Sequence, residues 1–152
     1  MAAALASAKN SMRIITVAKT IVMNPDGQIL LLRRSATDAD RPGEQDYPGG
    51  WPESGETPEQ GAVREALEEA GLSLDTSKLL LIFTGTTAYP DTNKSVNRFL
   101  FFTKLDSQQD VVLSHEHDAY QWVKPEEALK LFPHPFWGEG LKYALKHKLL
   151  DI

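Results

Sequence analysis

The sequence has no cysteine among its 152 residues. This absence excludes disulfide bonds and a thiol as the catalytic nucleophile, although it does not identify a compartment. Long apolar runs are also missing, so the sequence contains no candidate membrane span. Residues 1–11 are small and alanine-rich, and they lack both the basic start and the apolar stretch of a secretory signal. We therefore expect a cytoplasmic protein without a membrane partner, in which residues 1–11 form a flexible tail.

An excess of basic residues is missing as well. The 16 lysines and arginines are outnumbered by 21 aspartates and glutamates, which gives a formal net charge of −5. Because proteins bind nucleic-acid backbones largely through positive charge, we expect no nucleic-acid polymer as a partner. If the protein binds a nucleotide, we expect a small-molecule nucleotide whose phosphates are contacted through a metal ion.

Length and composition predict one globular domain of the α/β class. A chain of 152 residues, 41% of them hydrophobic, is long enough for one sizeable core but not for two. No internal repeat or low-complexity linker divides it, so we predict a single domain over residues 12–152. The sequence leaves the oligomeric state open.

The predicted elements are mixed strands and helices. Two β-branched segments, Arg13–Met23 and Gln28–Arg33, flank the turn residues Asn24–Gly27 and predict a hairpin. This mixture favours a sandwich in which helices cover both faces of a mixed sheet. Further strands are predicted at Leu79–Thr87, Asn97–Lys104 and Ala119–Val123, and helices at Pro125–Phe132 and Gly138–Leu149.

The segment after a glycine pair predicts a helix whose two ends are specified independently. Thr57 and Gln60 form a capping-box pattern around Pro58, a residue suited to the first helical position. Gly71 supplies the usual left-handed stop. We therefore predict a helix over Pro58–Ala70.

This helix is rich in acidic residues, and its faces differ. At about 100° per residue, one arc of about 140° holds the predicted buried stripe. Glu69 should lie at the edge of the core and Glu68 furthest out, with Glu65 between them. One interpretation is an ordinary solvated face. The alternative is a metal site, because a cation would relieve the repulsion between carboxylates one turn apart. Their hard oxygen atoms favour Mg²⁺ or Mn²⁺ over Zn²⁺. The predicted stripe comprises Ala62, Val63, Ala66, Leu67 and Ala70.

The whole segment also resembles the Nudix box. Gly50 is followed after five residues by Glu56 and after seven more by the run REALEEAGL, which ends at Leu72. The resemblance implies a Nudix-type α/β/α sandwich and Mg²⁺-dependent hydrolysis of a nucleoside diphosphate linked to another group X, with Mn²⁺ as a possible substitute. It also implies that the loop between residues 35 and 46 lies over the metals. The implied metal ligands are Glu65, Glu68 and Glu69, and Arg64 joins the catalytic set by bracing the loop and helix with Glu56.

A general base must also be found for the attacking water. Glu116, which lies six residues before Trp122, is our candidate, because relatives often place an additional metal-binding or base glutamate at such a position. The neighbouring histidines, His115 and His117, lack a third partner in the sequence. A zinc site there is therefore disfavoured.

Substrate-binding candidates lie largely outside the box. Tyr89 and Lys94 resemble the residues that contact nucleotide and phosphate in the diadenosine-tetraphosphate hydrolase branch of the family. That branch often has a lysine where this chain has Gly49, so a pyrophosphatase for oxidised or ordinary nucleoside triphosphates is a competing interpretation. A Nudix-fold sensor without turnover is a third, although no box carboxylate is missing. The remaining candidates are Arg33, Arg34, Gly49, Gly50 and Trp51.

Overall fold

The structure is a computed structural model that describes residues 12–132 and 134–152. The predicted tail, residues 1–11, lies outside the described residues. The structure confirms the predicted bounds of the first strand and of the box helix. The strands are β1 (Arg13–Met23), β2 (Ile29–Arg34), β3 (Gln45–Asp46), β4 (Gly49–Gly50), β5 (Leu80–Tyr89), β6 (Lys94–Lys104) and β7 (His117–Val123), and the helices are α1 (Pro58–Ala70), α2 (Pro125–Leu129) and α3 (Pro135–Lys146).

The two C-terminal helices differ from their predicted bounds. Helix α2 ends at Leu129, three residues before the predicted end. Helix α3 begins at Pro135 rather than near Gly138, because His134 caps it and accepts a hydrogen bond from the Phe136 amide. Proline at the first helical position suits this start, since its missing N–H has no helical partner there.

The sheet is mixed, as predicted. Its strands follow the order β3-β2-β1-β6-β5, and β7 pairs with β2. Strands β1 and β6 run parallel along their whole length, from Arg13 opposite Lys94 to Met23 opposite Lys104. The β5–β6 and β2–β7 pairs are antiparallel.

The sheet contains a fork between β1 and β2. The predicted hairpin is present at its turn, but the two strands pair only where Met23 meets Ile29. Beyond that point they diverge, and β4 pairs with β1 while β3 pairs with β2. This gap in the centre of the sheet is the feature that positions the site.

Helices α1 and α3 cover opposite faces of the sheet. Ala18 of β1 packs with Ala62 of α1, whereas Ile21 of β1 packs with Trp137 and Leu141 of α3. Positions an odd number apart on a strand face opposite sides, so these two clusters form separate layers. The structure therefore confirms the α/β/α sandwich. Within the described ranges, no helix combines the length and apolarity needed to cross a bilayer.

The buried face of α1 differs from the predicted stripe most at Leu67, while Val63 is half-buried. Ala62, Ala66 and Ala70 are fully buried, but Leu67 is 57% exposed. The prediction for Leu67 was wrong because the helix is rotated toward its acidic side, which faces the fork. Glu69 accordingly is only 5% exposed.

Candidate active site

A cleft of about 520 Å³ opens at the fork between β1 and β2. It receives side chains from both helical layers and from the predicted loop between residues 35 and 46. Its lining is dominated by charged and aromatic groups, and includes seven of the residues selected from the sequence. These seven are Arg34, Gly49, Gly50, Trp51, Glu65, Glu69 and Glu116.

The other five selected residues do not line this cleft, and one of them, Arg64, lies on the loop side of α1. Arg33 lines a separate depression and forms a 2.7 Å ion pair with Asp118. Glu68 points outward, with 56% of its side chain exposed. The remaining two, Tyr89 and Lys94, lie where β5 and β6 meet and stack on each other, with the lysine Nζ 5.4 Å from the ring centre.

Glu69 is the most buried carboxyl group of the box. Its Oε2 accepts a hydrogen bond of 3.2 Å from the Gly49 amide. Burial raises its pKa to about 9; the charge of Lys19 opposes this shift, and a hydrogen bond and like charge from Glu65 add to it. Glu69 therefore holds a proton at neutral pH unless a cation takes the place of that proton.

The glycine pair allows β4 to sit between β1 and the glutamates. Gly49 has φ +144°, and a Cβ there would lie 2.2 Å from the carbonyl oxygen of Ala18. A Cβ on Gly50 would lie 2.9 Å from the carboxyl carbon of Glu65. Both positions thus require glycine for close approach, one to the backbone of β1 and the other to Glu65.

Arg64 connects the loop before α1 with the acidic face of the helix. Its guanidinium group donates to Glu56, at 2.9 Å from Nε to Oε2, and its Nη1 lies 3.1 Å from both Glu65 and Glu68. Its Nη2 also donates to the carbonyl oxygen of Trp51 at 3.1 Å. Arg64 therefore fixes the loop on the helix and partly neutralises the glutamates.

A family model described as NUDIX domain matches residues 13–144. The chain belongs to this family. The capped acidic helix α1, the glycine pair and the Arg64 bridge are the structural counterparts of the Nudix box pattern in the sequence. The chain spans 36% and 62% of the length of two curated relatives that it matches, and members of the Nudix family generally use divalent metal ions.

The curated relatives of this chain are named for different activities. The chain is 33% identical over 135 residues to an octanoyltransferase of Myxococcus xanthus, covering 88% of this chain but only 36% of that protein. It is 30% identical over 95 residues to an asymmetrical bis(5′-nucleosyl)-tetraphosphatase of Caenorhabditis elegans, covering 62% of this chain and 69% of the relative. It is 42% identical over 62 residues to the 8-oxo-dGTP diphosphatase of Escherichia coli K12, covering 41% and 47% of the two chains.

Solved structures show the same Nudix fold. A MutT protein from Methanosarcina mazei Go1 matches with a TM-score of 0.75 and 27% identity, over 90% of this chain and 97% of the other. An Ap4A hydrolase from C. elegans, solved as a binary complex, matches with a TM-score of 0.65 and 27% identity, over 90% and 99% of the two chains. These matches agree with the sandwich and the mixed sheet.

The chemistry of the Nudix glutamates suits a divalent cation, although their side chains are not arranged as a preformed metal-binding cluster. Within residues 12–132 and 134–152, no three acidic or histidine side chains converge tightly enough to form a ready-made metal site. However, Glu65 and Glu69 lie against each other, and Glu69 has no ion-pair partner among the described residues. Buried, oxygen-only donors that repel each other suit a hard cation. Glu116 lines the same cleft and supplies a further carboxylate.

A buried ion network beside the Nudix glutamates was missed from the sequence. Lys19 Nζ lies 3.0 Å from Asp46 Oδ2 and donates to the carbonyl oxygens of Tyr47 and Gly49. Asp46 is also paired with Arg34 at 2.9 Å. A signal was available, because a lysine inside an apolar strand is costly unless it has a partner. The partner of the lysine, Asp46, was not identifiable from the sequence, because it lies in β3, a strand of only two residues.

Three further cleft residues, Arg98, His117 and His134, were also not selected as substrate contacts. Arg98 Nη2 donates to the Tyr89 hydroxyl at 3.2 Å, which links that tyrosine indirectly to the cleft. His117 is buried and burial lowers its pKa. Neither of its ring nitrogens has a hydrogen-bond partner in the described part of the chain. Burial thus favours the neutral ring, which has one donor and one acceptor.

Proposed function

We propose that this Nudix hydrolase cleaves a phosphoanhydride bond in a nucleoside diphosphate linked to a further group, with Mg²⁺ as the cofactor. The observation that carries this proposal is the meeting of Glu65 and buried Glu69 inside a cleft that Glu116 also lines. Mn²⁺, which also accepts oxygen ligands, is expected to substitute.

The metal would be held by Glu65 and Glu69, with Glu116 as the additional ligand from the turn that precedes β7. When bound, a divalent ion neutralises phosphate oxygens and lowers the pKa of a bound water. Glu68 lies outside the cleft, where Arg64 holds it 3.1 Å away, so we assign it a peripheral part in the site. This ranking agrees with the predicted order, in which Glu69 lies inward and Glu68 furthest out.

Other residues of the chain bind and orient the substrate. Arg34 reaches the cleft from the end of β2 and Arg41 from the loop that follows, and arginine is well suited to phosphate. Arg34 is already paired with Asp38 and Asp46, which fixes its direction. Glu116 is exposed, and its carboxylate is our candidate acceptor for the proton of the attacking water.

For the substrate, we propose a dinucleoside polyphosphate such as diadenosine tetraphosphate. The C. elegans tetraphosphatase relative supports this choice, as does the connection of Tyr89 to the cleft through Arg98. Tyr89 and Lys94 do not line the cleft themselves, so their predicted contacts with nucleotide and phosphate would require an extended substrate. The competing function, a pyrophosphatase for oxidised or ordinary nucleoside triphosphates, is favoured by the 42% identity to the E. coli diphosphatase.

The test is a nucleotide panel with Mg²⁺, in which the products are identified. Diadenosine tetraphosphate should yield ATP and AMP, whereas a triphosphate pyrophosphatase would release pyrophosphate from a nucleoside triphosphate. Glu69→Gln should lower kcat about 100-fold or more, because it removes a charged oxygen donor. Glu59→Gln, on the same helix but outside the cleft, is the matched control and should remain active.

Two outcomes would contradict the proposal. Turnover that persists in excess chelator would show that the reaction does not require the metal ion. Binding of nucleotides without turnover of any of them would instead favour the non-catalytic sensor.

A further inference from the structure

Trp51 separates the catalytic cleft from a second depression, which we call the outer groove. The groove has a volume of about 340 Å³ and is lined by Ile14–Thr16, Trp51, Pro52, Glu56 and Pro58. Trp51 is the one residue that lines both spaces in the described part of the chain. A ligand lying in the cleft can therefore extend past this ring into the groove.

The position of Trp51 is fixed although its side chain is exposed. Its carbonyl oxygen accepts a hydrogen bond from Arg64, and the preceding residue, Gly50, pairs with Ala18 of β1. The following residue, Pro52, packs so closely on α1 that a Cβ on Gly61 would lie 2.9 Å from its Cα. Yet Trp51 is 64% exposed. A large aromatic ring that is exposed to solvent on a fixed backbone is available for a ligand to stack on.

The groove suits an uncharged ligand. Ile14, which is 66% exposed, and two prolines supply apolar surface. Its single charged side chain, Glu56, accepts hydrogen bonds from Arg64 Nε at 2.9 Å and Arg64 Nη2 at 3.0 Å. That pairing neutralises the carboxylate. The cleft beside it is rich in charge. An apolar aromatic surface next to a charged cleft matches a planar neutral base attached to a chain of phosphates.

The α3 side of the cleft has a partly exposed aromatic ring, that of His134. This ring packs on the buried Trp137, with ring centres 5.9 Å apart. Between this side of the cleft and the outer groove, the lining changes from the half-buried His134 ring to charged groups and then to the exposed Trp51 ring. A nucleoside triphosphate has a base at one end only. A dinucleoside polyphosphate has a base at both ends.

We propose that the outer groove binds the second nucleobase of a dinucleoside polyphosphate, which stacks on Trp51 while the phosphates lie in the cleft. This inference rests on the proposed hydrolase function and assigns a binding place to the second base of the proposed substrate. It makes Trp51 and Ile14 residues that determine specificity, and it assigns them no part in bond cleavage.

The test compares two substrates that differ only in the second nucleoside, diadenosine tetraphosphate and adenosine 5′-tetraphosphate. Trp51→Ala should raise the KM for the diadenosine compound about 10-fold more than the KM for adenosine tetraphosphate, since stacking of one base on an aromatic side chain is worth about that factor or more. Trp51→Phe should restore most of the difference. Ile14→Asp, on the opposite side of the groove, should change the ratio of the KM values in the same direction.

Tyr120→Ala is the matched control, because Tyr120 is 47% exposed on β7 and lines neither space. It should leave both KM values unchanged.

Equal changes in both KM values with Trp51→Ala, or no change in either, would overturn the assignment of the groove. So would a Trp51→Ala variant that converts a dimer to a monomer in sedimentation, since a second copy would then occupy the groove. If wild type hydrolyses adenosine tetraphosphate but not the diadenosine compound, the hydrolase proposal stands and the groove proposal fails. If it hydrolyses no nucleotide with Mg²⁺, the hydrolase proposal fails.

Discussion

Glu69 is buried among groups that make its charge costly, and this environment determines how it responds to a cation. Its pKa is raised to about 9, first by burial and further by Glu65, against the charge of Lys19. Without metal the carboxyl group keeps its proton. A divalent ion that displaces the proton binds the folded state only, because the unfolded chain does not bring Glu65 and Glu69 together. Metal binding and folding stability are therefore linked.

At the scale of the residue, we expect Mg²⁺ to raise the melting temperature of the wild type. At a free concentration about tenfold above the dissociation constant, linkage predicts an increase of about 3–6 °C for a domain of this size. Glu69→Gln should lose this increase, and Glu59→Gln should keep it. The measurement is thermal unfolding with and without Mg²⁺. An equal increase in Glu69→Gln would show that the ion binds elsewhere.

The relative positions of the box glutamates were predictable, whereas their partners were not. The helical period alone placed Glu69 inward and Glu68 outward, because both lie on one element with two specified ends. Lys19 and Asp46 lie 27 positions apart, and their pairing depends on how β3 and β4 divide between β2 and β1. The position of Arg98 in the cleft likewise depends on its register opposite Val17 in the parallel β1–β6 pair. Such tertiary contacts leave no local periodicity in the sequence.

At the scale of the element, β4 is a two-residue strand that keeps the fork open. Its pairing with β1 places the Gly49 amide 3.2 Å from Glu69 and leaves room for Glu65 beside Gly50. From the sequence, these two glycines were candidates for substrate binding. Their nearest neighbours are instead β1 and a glutamate, which only the folded sheet brings together.

We expect Gly49→Ala to destabilise the protein far more than Gly27→Ala. Both glycines have positive φ, +144° and +79°, and alanine in that region costs about 1–2 kcal/mol. A Cβ at Gly27 meets nothing within 4 Å, whereas one at Gly49 overlaps the Ala18 backbone. Overpacking adds about 1–3 kcal/mol for Gly49→Ala. Urea unfolding of the two variants measures the difference.

The activity of these two variants provides a further check on β4. Gly49→Ala should lose hydrolysis even at temperatures where it remains folded, because a displaced β4 no longer holds Glu69. Gly27→Ala lies in the β1–β2 turn and should retain activity. Equal destabilisation of the two variants would mean that β4 moves aside at little cost.

At the scale of the whole molecule, the sandwich concentrates charge in one place. Apolar clusters fill both helix–sheet layers, while lysine, arginine and acidic side chains meet in the fork between them. This separation explains why the fold class followed from the pattern of elements while the cleft did not. The mixed strands and helices predicted two covered faces, but nothing in the β-branched segments showed that β1 and β2 diverge after a single residue pair.

The wall of the cleft also makes the stability of the whole domain depend on pH. Burial, and then the charges of Arg41 and Arg98, lower the pKa of His134 from its ordinary 6.5 to about 4. Between these values the unfolded chain binds a proton at this position and the folded chain does not. His134 therefore lowers the free energy of unfolding as pH falls from 6.5 toward 4, and it contributes no pH dependence above that window.

We expect His134→Asn to remove part of this dependence. Asparagine retains a side chain that can cap α3 but has no proton to gain, so the variant should lose about 2–4 °C less of its melting temperature than the wild type between pH 7.5 and pH 5. His147→Asn, at the exposed C-terminal end of the same helix, is the matched control and should follow the wild type. Lost packing against Trp137 lowers the melting temperature of His134→Asn at every pH. The comparison is therefore between the slopes of melting temperature against pH. Parallel slopes for His134→Asn and wild type would show that His134 is protonated in the folded domain as readily as in the unfolded chain.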